Sequence, residues 1–182
     1  MVGEKLLDKI ELPRNTTAVI EGMQISLKGK NGGIKKWFNA KGISFRQENN
    51  SIVIEAKPAT RRMNSLLRTI KSHIENMVEG IQNGYQYRLA IVYSHFPMNV
   101  GIKEKTVEIK NFTGEKQPRT ARIIGDTRVE VKGKEIIVSG INKEAVGQTA
   151  ANLENATRVI GKDRRIYQDG IYITEKAIVE NQ

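Results

Sequence analysis

Ile43-Ser44-Phe45-Arg46-Gln47-Glu48-Asn49-Asn50-Ser51-Ile52-Val53-Ile54 and Thr127-Arg128-Val129-Glu130-Val131-Lys132-Gly133-Lys134-Glu135-Ile136-Ile137-Val138 lie 84 residues apart, and one gapless offset lays the first on the second. Phe45 and Gln47 fall on Val129 and Val131, and Ile52, Val53 and Ile54 fall on Ile136, Ile137 and Val138. The same offset carries Met23 and Ile25 onto Val107 and Ile109. Three β-type segments in register mark an internal repeat. In each copy a turn, Asn49-Asn50 or Lys132-Gly133-Lys134, separates two runs of β-formers, which predicts a hairpin.

An amphipathic helix is expected after each hairpin. Met63, Leu66, Leu67, Ile70, Ile74 and Met77 make one apolar stripe at helical spacing, with Gly80 or Gly84 to end it. In the second copy Asn142 is the expected N-cap and Gly161 the expected stop, around a thinner stripe of Val146, Ala150, Leu153, Ala156 and Ile160. A further strand follows each helix, Tyr85 to Tyr93 and Ile171 to Ile173; the first of these could pair with either sheet. The predicted class is α+β, two tandem similar domains, each a small antiparallel sheet with one helix packed on one face. The domains are placed at residues 1–82 and 83–182.

The chain has 182 residues, 30 lysines and arginines against 20 acids, and a formal net charge of +10. That charge attracts polyanions, above all nucleic acid. There is no cysteine, so disulfides, thiolate zinc sites and cysteine nucleophiles are excluded. The longest apolar run, Leu89 to Tyr93, is far short of the roughly 20 residues that a membrane-spanning helix needs. Together with a charged N-terminus, this sets the expectation of a cytoplasmic protein with no membrane partner.

Catalytic groups are scarce. The two histidines, His73 and His95, have no partner at metal-ligand spacing, and the four aspartates form no paired-carboxylate motif. Neither a catalytic residue, a metal nor a cofactor is expected. Gly29-Lys30-Asn31-Gly32-Gly33 lacks the Gly-Lys-Ser/Thr ending of a phosphate loop. It contains Gly-x-x-Gly, but the alternation of Met23, Ile25 and Leu27 leads in as a strand, so a turn between strands is expected.

The positive charge falls in three clusters. Lys28, Lys30, Lys35, Lys36, Lys41 and Arg46 surround Trp37-Phe38 with no acid among them. A loop from Lys110 to Arg122 holds Lys116, Arg119 and Arg122. Arg158, Lys162, Arg164 and Arg165 lead to Tyr167, just past the second helix. Arginine forks suit phosphates, and tyrosine stacks on bases or sugars. Residues 1–91 carry 15 basic and 8 acidic side chains and residues 92–182 carry 15 and 12, so charge alone does not choose between the halves. Broad, loop-borne charge favours structured RNA over DNA.

Arg68-Thr69-Ile70-Lys71-Ser72-His73-Ile74-Glu75-Asn76-Met77, Gly84-Tyr85, Tyr93-Ser94-His95-Phe96-Pro97 and Val107-Glu108-Ile109-Lys110-Asn111-Phe112-Thr113-Gly114-Glu115-Lys116 closely resemble the family of the sixth protein of the large ribosomal subunit, in its archaeal and eukaryotic branch. Asp163-Arg164-Arg165-Ile166-Tyr167-Gln168-Asp169-Gly170-Ile171-Tyr172-Ile173 resembles its C-terminal signature, and the similarity runs from about Ile10 to Glu175. The resemblance implies two related α+β domains and a structural, non-enzymatic role. It implies binding of large-subunit rRNA, chiefly by the C-terminal domain, near the stalk base and the loop that translational GTPases touch. Neighbouring large-subunit proteins are expected partners, and DNA and independent homo-oligomers are not. Arg164, Arg165, Tyr167 and Gln168 with Lys162 are the first RNA-binding candidates. Lys116, Arg119 and Arg122 come next, then Lys28, Lys30, Lys35 and Lys36. The first basic loop departs from the family's Gly-Pro-x-Gly by lacking the proline. The alternative is an RNA-binding translation or assembly factor that visits the ribosome transiently.

Overall fold

Period-two burial along most strands, and turn residues able to take positive φ, set the architecture of this chain in a computed structural model that describes residues 5–94, 96–163 and 165–179. The chain divides into two units, Met1–Asn83 and Gly84–Gln182. The first runs through β1 (Leu6–Glu11), β2 (Thr17–Glu21), β3 (Gln24–Gly29), β4 (Gly32–Trp37), β5 (Ile43–Glu48), β6 (Ser51–Ala56) and α1 (Arg61–Asn83). The second runs through β7 (Tyr85–Val92), β8 (Asn99–Lys103), β9 (Thr106–Lys110), a 3-10 turn at Phe112–Gly114, β10 (Arg119–Arg122), β11 (Arg128–Lys132), β12 (Glu135–Gly140), α2 (Lys143–Ala156) and β13 (Gly170–Val179).

Asn49 and Gly133 sit in the predicted hairpin turns with φ of 52° and 62°. Phe45 pairs with Ile54, and 84 residues on, Val129 pairs with Val138, so the repeat preserves strand register as well as residue type. The α+β class is as expected, and each unit adds a second small sheet. In the first unit the sheets are β1-β6-β5 and β2-β3-β4; in the second they are β11-β12-β7-β13 and β10-β9-β8. Every pairing is antiparallel. The strand from Tyr85 belongs to the second unit, where Tyr87 pairs with Val138. The segment read as one loop from Lys110 to Arg122 ends as strand β10, because Ala121 is buried opposite Val107 while its neighbours point outward.

Each helix closes a core shared by the two sheets of its unit. In α1 the stripe of Leu67, Ile70, Ile74, Met77 and Ile81 is buried, and the helix packs on β1, β3, β4 and β6. Thr60 opens it by accepting the Met63 amide at 3.2 Å. Gly84, at φ 75°, follows its last residue, whereas Gly80 is buried within it. In α2 the stripe of Val146, Ala150 and Leu153 is buried against β7, β10, β12 and β13.

The second helix departs from expectation at its end. It stops at Ala156 rather than running through Ile160 to Gly161. Thr157 is the reason. It is buried, its hydroxyl donates to the Glu154 carbonyl at 3.3 Å, and its Oγ1 accepts the Ile171 amide at 2.8 Å. Tying the helix end to β13 turns the following residues away, and Ile160 is left 81% exposed. At the other end Asn142 is the predicted cap, accepting the amides of Glu144 and Ala145 at 3.0 and 3.4 Å. Asn142→Ala is expected to cost about 1 kcal/mol in urea denaturation, with Asn142→Ser or Asp close to neutral. An unchanged midpoint for the alanine variant would contradict this.

Candidate nucleic-acid interface

Residues 157–169 link α2 to β13, and Asp163 gives this segment its shape. Its carboxylate accepts the Arg165 amide at 2.9 Å, and its carbonyl accepts the Ile166 and Tyr167 amides at 3.1 and 2.9 Å. The carbonyl of Arg165 in turn accepts from the Gln168 amide side chain at 3.2 Å. At the far end buried Asp169 accepts the Ser94 amide at 2.9 Å. Both ends and the middle are therefore held by hydrogen bonds, while the side chains of Lys162, Arg165 and Gln168 stay exposed. The Lys162 ammonium lies 4.8 Å from the centre of the Tyr167 ring, a contact that keeps cation and aromatic face together. Arg164, the remaining candidate here, lies outside the described residues.

Ile166 is 68% exposed and Tyr167 40% exposed beside these cations. Isoleucines so exposed serve no core. The sequence pattern does not flag the two exposed isoleucines: Ile160 falls in the expected helical stripe of α2, and Ile166 stands between Arg165 and Tyr167 with no periodicity to mark it.

Arg119 behaves unlike the other candidates. Its guanidinium forks onto Glu115, with Nε to Oε2 at 2.8 Å and the second terminal nitrogen to Oε1 at 2.6 Å. Its remaining terminal nitrogen donates to the carbonyl of Ala156, the last residue of α2, at 2.9 Å and to that of Arg158, just beyond the helix, at 3.1 Å. The same group lies 4.3 Å from the centre of the Phe112 ring. This hydrogen bonding to Arg119 is the main influence holding the Glu115 carboxyl below its ordinary 4.5. Arg119 thus ties the 3-10 turn and β10 to the end of α2 and the start of the basic segment. Its charge is spent inside the protein.

Lys116 and Arg122 are exposed. Arg122 stands on the face of its sheet turned away from the core, in the row Arg122–Thr106–Lys103. In the first unit the candidates part company. Lys28 and Lys35 share the outer face of β2-β3-β4, whereas Lys36 is on the inner side, its ammonium 3.2 Å from His73 Nδ1 and 5.8 Å from the Phe38 ring centre. Lys30 occupies the turn between β3 and β4, the place expected for it, and is exposed. Asn31 anchors that turn to the end of α1 by donating to the carbonyls of Ile81 and Gln82 at 3.2 and 2.9 Å.

Among the described residues no group of three or more histidines and carboxylates is placed to hold a metal ion. His73 is a packing residue on α1, tilted against Phe38. His95 lies outside the described residues. No helix among the described residues is long and apolar enough to cross a membrane.

A duplicated α+β plan, with basic segments carried on its loops and outer sheet faces, defines a class of small basic two-unit proteins. The family profile described as Ribosomal protein L6 matches residues 12–84 and again 96–170, one match to each unit. The chain belongs to that family and is a ribosomal structural component rather than an enzyme. Among similar proteins, the large ribosomal subunit protein uL6 of Staphylothermus marinus is 49% identical over 92% of this chain and 93% of its own. Those of Methanococcus vannielii and Sulfurisphaera tokodaii are each 45% identical, covering 97% and 100% of this chain and 97% and 98% of theirs.

Proposed function

We propose that this chain is a resident structural protein of the large ribosomal subunit that binds large-subunit rRNA chiefly through its second unit. One observation carries the reading. The segment from Arg158 to Asp169 is braced by Asp163, Asp169 and Arg119, yet presents Lys162, Arg165, Tyr167 and Gln168 outward. A pre-ordered basic segment loses little conformational entropy on meeting phosphates, and a tyrosine among cations suits sugar or base contact. Lys116 and Arg122 extend the contact. Lys30 and the outer-face lysines of the first unit belong to a separate one. The names of the archaeal relatives support residency in the large subunit.

The finer placement we propose is beside the stalk base and the loop that translational GTPases touch, with neighbouring large-subunit proteins as further partners, on the ribosome in the cytoplasm. This follows from the resemblance of 163–173 to the family's C-terminal signature.

Gradient sedimentation of a lysate at low salt and after a high-salt wash tests residency. The expected result is one copy per large subunit in both. Loss of the protein in the wash would make it a transient translation or assembly factor. Arg165→Ala is expected to lower the slope of log affinity against log salt by about 1 without a change in thermal stability, since this side chain is exposed. An unchanged slope would move the contact away from this segment.

A further inference from the structure

Trp37 is the only tryptophan in the chain, and it stands 62% exposed at the end of β4. Burial along this sheet alternates, with Ile25, Leu27 and Ile34 facing the core. The opposite face carries Trp37 and Lys35 from β4 and Gln24, Ser26 and Lys28 from β3. Trp37 pairs with Gln24, Lys35 with Ser26, and Gly33 with Lys28. On the far strand Val19 continues the Ser26 row, and Glu21, the one acid among the described residues of this face, continues the Gln24 row. Trp37 and Lys35 are two residues apart on one strand, roughly 6.6 Å, and Lys28 is the diagonal neighbour of Lys35.

The fold does not demand this arrangement. In the second unit the 84-residue offset puts Glu108 in place of Gln24, and Thr120 stands opposite it where Trp37 stands opposite Gln24. Glu108 is flanked by Lys103 at 3.8 Å and Lys110 at 3.9 Å, so an ion-paired carboxylate stands at that position and no aromatic stands opposite it. The first unit instead shows a bare indole and two lysines. Lysine is depleted in protein–protein contacts, whereas an aromatic platform edged by cations is what single-stranded nucleic acid requires. A base within a duplex has no free face to offer an indole; an unpaired one does.

We propose that the outer face of β2-β3-β4 is a second RNA contact, in which Trp37 stacks on an unpaired base while Lys35 and Lys28 neutralise flanking phosphates. This inference goes beyond the reading of the second unit and does not depend on it.

Because Trp37 is the only indole, the intrinsic tryptophan emission of the full chain reports on this face alone. Titration with single-stranded oligouridylate at low salt should quench it saturably, and a fully paired RNA duplex of equal length should not. Trp37→Ala should weaken oligouridylate binding roughly 5- to 150-fold, the range for removing one base–aromatic stack, and Trp37→Phe should retain most of it. Lys28→Ala with Lys35→Ala should lower the salt slope by about 1.4, at roughly 0.7 per phosphate on a single strand. Quenching should persist in the Lys162→Ala/Arg165→Ala variant, so failure of the second-unit site leaves this result readable. Oligouridylate that fails to bind, or that binds by anisotropy without changing Trp37 emission or responding to Trp37→Ala, overturns the proposal. Shielding of Trp37 from acrylamide in purified large subunits would then assign the face to a protein neighbour.

Discussion

Affinity for structured large-subunit RNA is expected to fall about 10³–10⁵-fold between about 50 and 200 mM salt, for roughly six to ten neutralised phosphates. The expectation rests on where the charge lies more than on the net +10. Several cations are internally committed: Arg119 to Glu115 and two carbonyls, Lys71 to Asp8 at 2.7 Å, and Lys57 to Glu55 at 2.8 Å. Lys116, Arg122, Lys162 and Arg165 present exposed cations on the second unit, and Lys28 and Lys35 on the first. Each phosphate contact releases counterions, and that release is what salt suppresses. Filter binding or anisotropy across a salt series reads the slope directly. A slope near zero would remove the electrostatic account and leave shape or protein contacts to hold the chain in place.

Arg119→Ala is expected to be the most damaging single charge removal to stability, at roughly 1.5–3 kcal/mol by urea denaturation, the range for hydrogen bonds to charged groups. The variant strands the Glu115 carboxylate and uncaps the carbonyls of Ala156 and Arg158 together. Arg119→Lys should recover little, because an ammonium cannot fork onto a carboxylate and reach two carbonyls at the same time. The pair also sets a pH signature. Glu115 titrates below 4.5 when folded, so its contribution is complete above that value and disappears as pH falls through the folded pKa. The stability difference between wild type and Arg119→Ala should therefore narrow in that acidic window. The salt slope of RNA binding should stay as in wild type, in contrast to Arg165→Ala. A loss of slope with no loss of stability would mean that Arg119 faces RNA after all.

Much of this protein is written along its sequence. The 84-residue offset marked the duplication, and the observed pairing of Phe45 with Ile54 and of Val129 with Val138 keeps that offset in register. Hairpin register follows from turn length and period-two alternation, both local properties. The stripe of α1 and the Asn142 cap are local too, since helical spacing and capping act within a few residues.

What only the tertiary structure decided is which cations are available. Lys35 and Lys36 are adjacent, yet one faces outward and the other reaches His73 on α1, 37 residues away. Arg119 and Arg122 close a single run, yet one clamps the end of α2, 37 residues on, and the other stays exposed. The end of α2 was likewise set by Thr157 bonding to Ile171 rather than by Gly161. Periodicity specifies the face on which a side chain stands. It does not specify the groups that another element brings to meet that face, and for a basic chain those partners separate the charges tied into the structure from the ones left exposed.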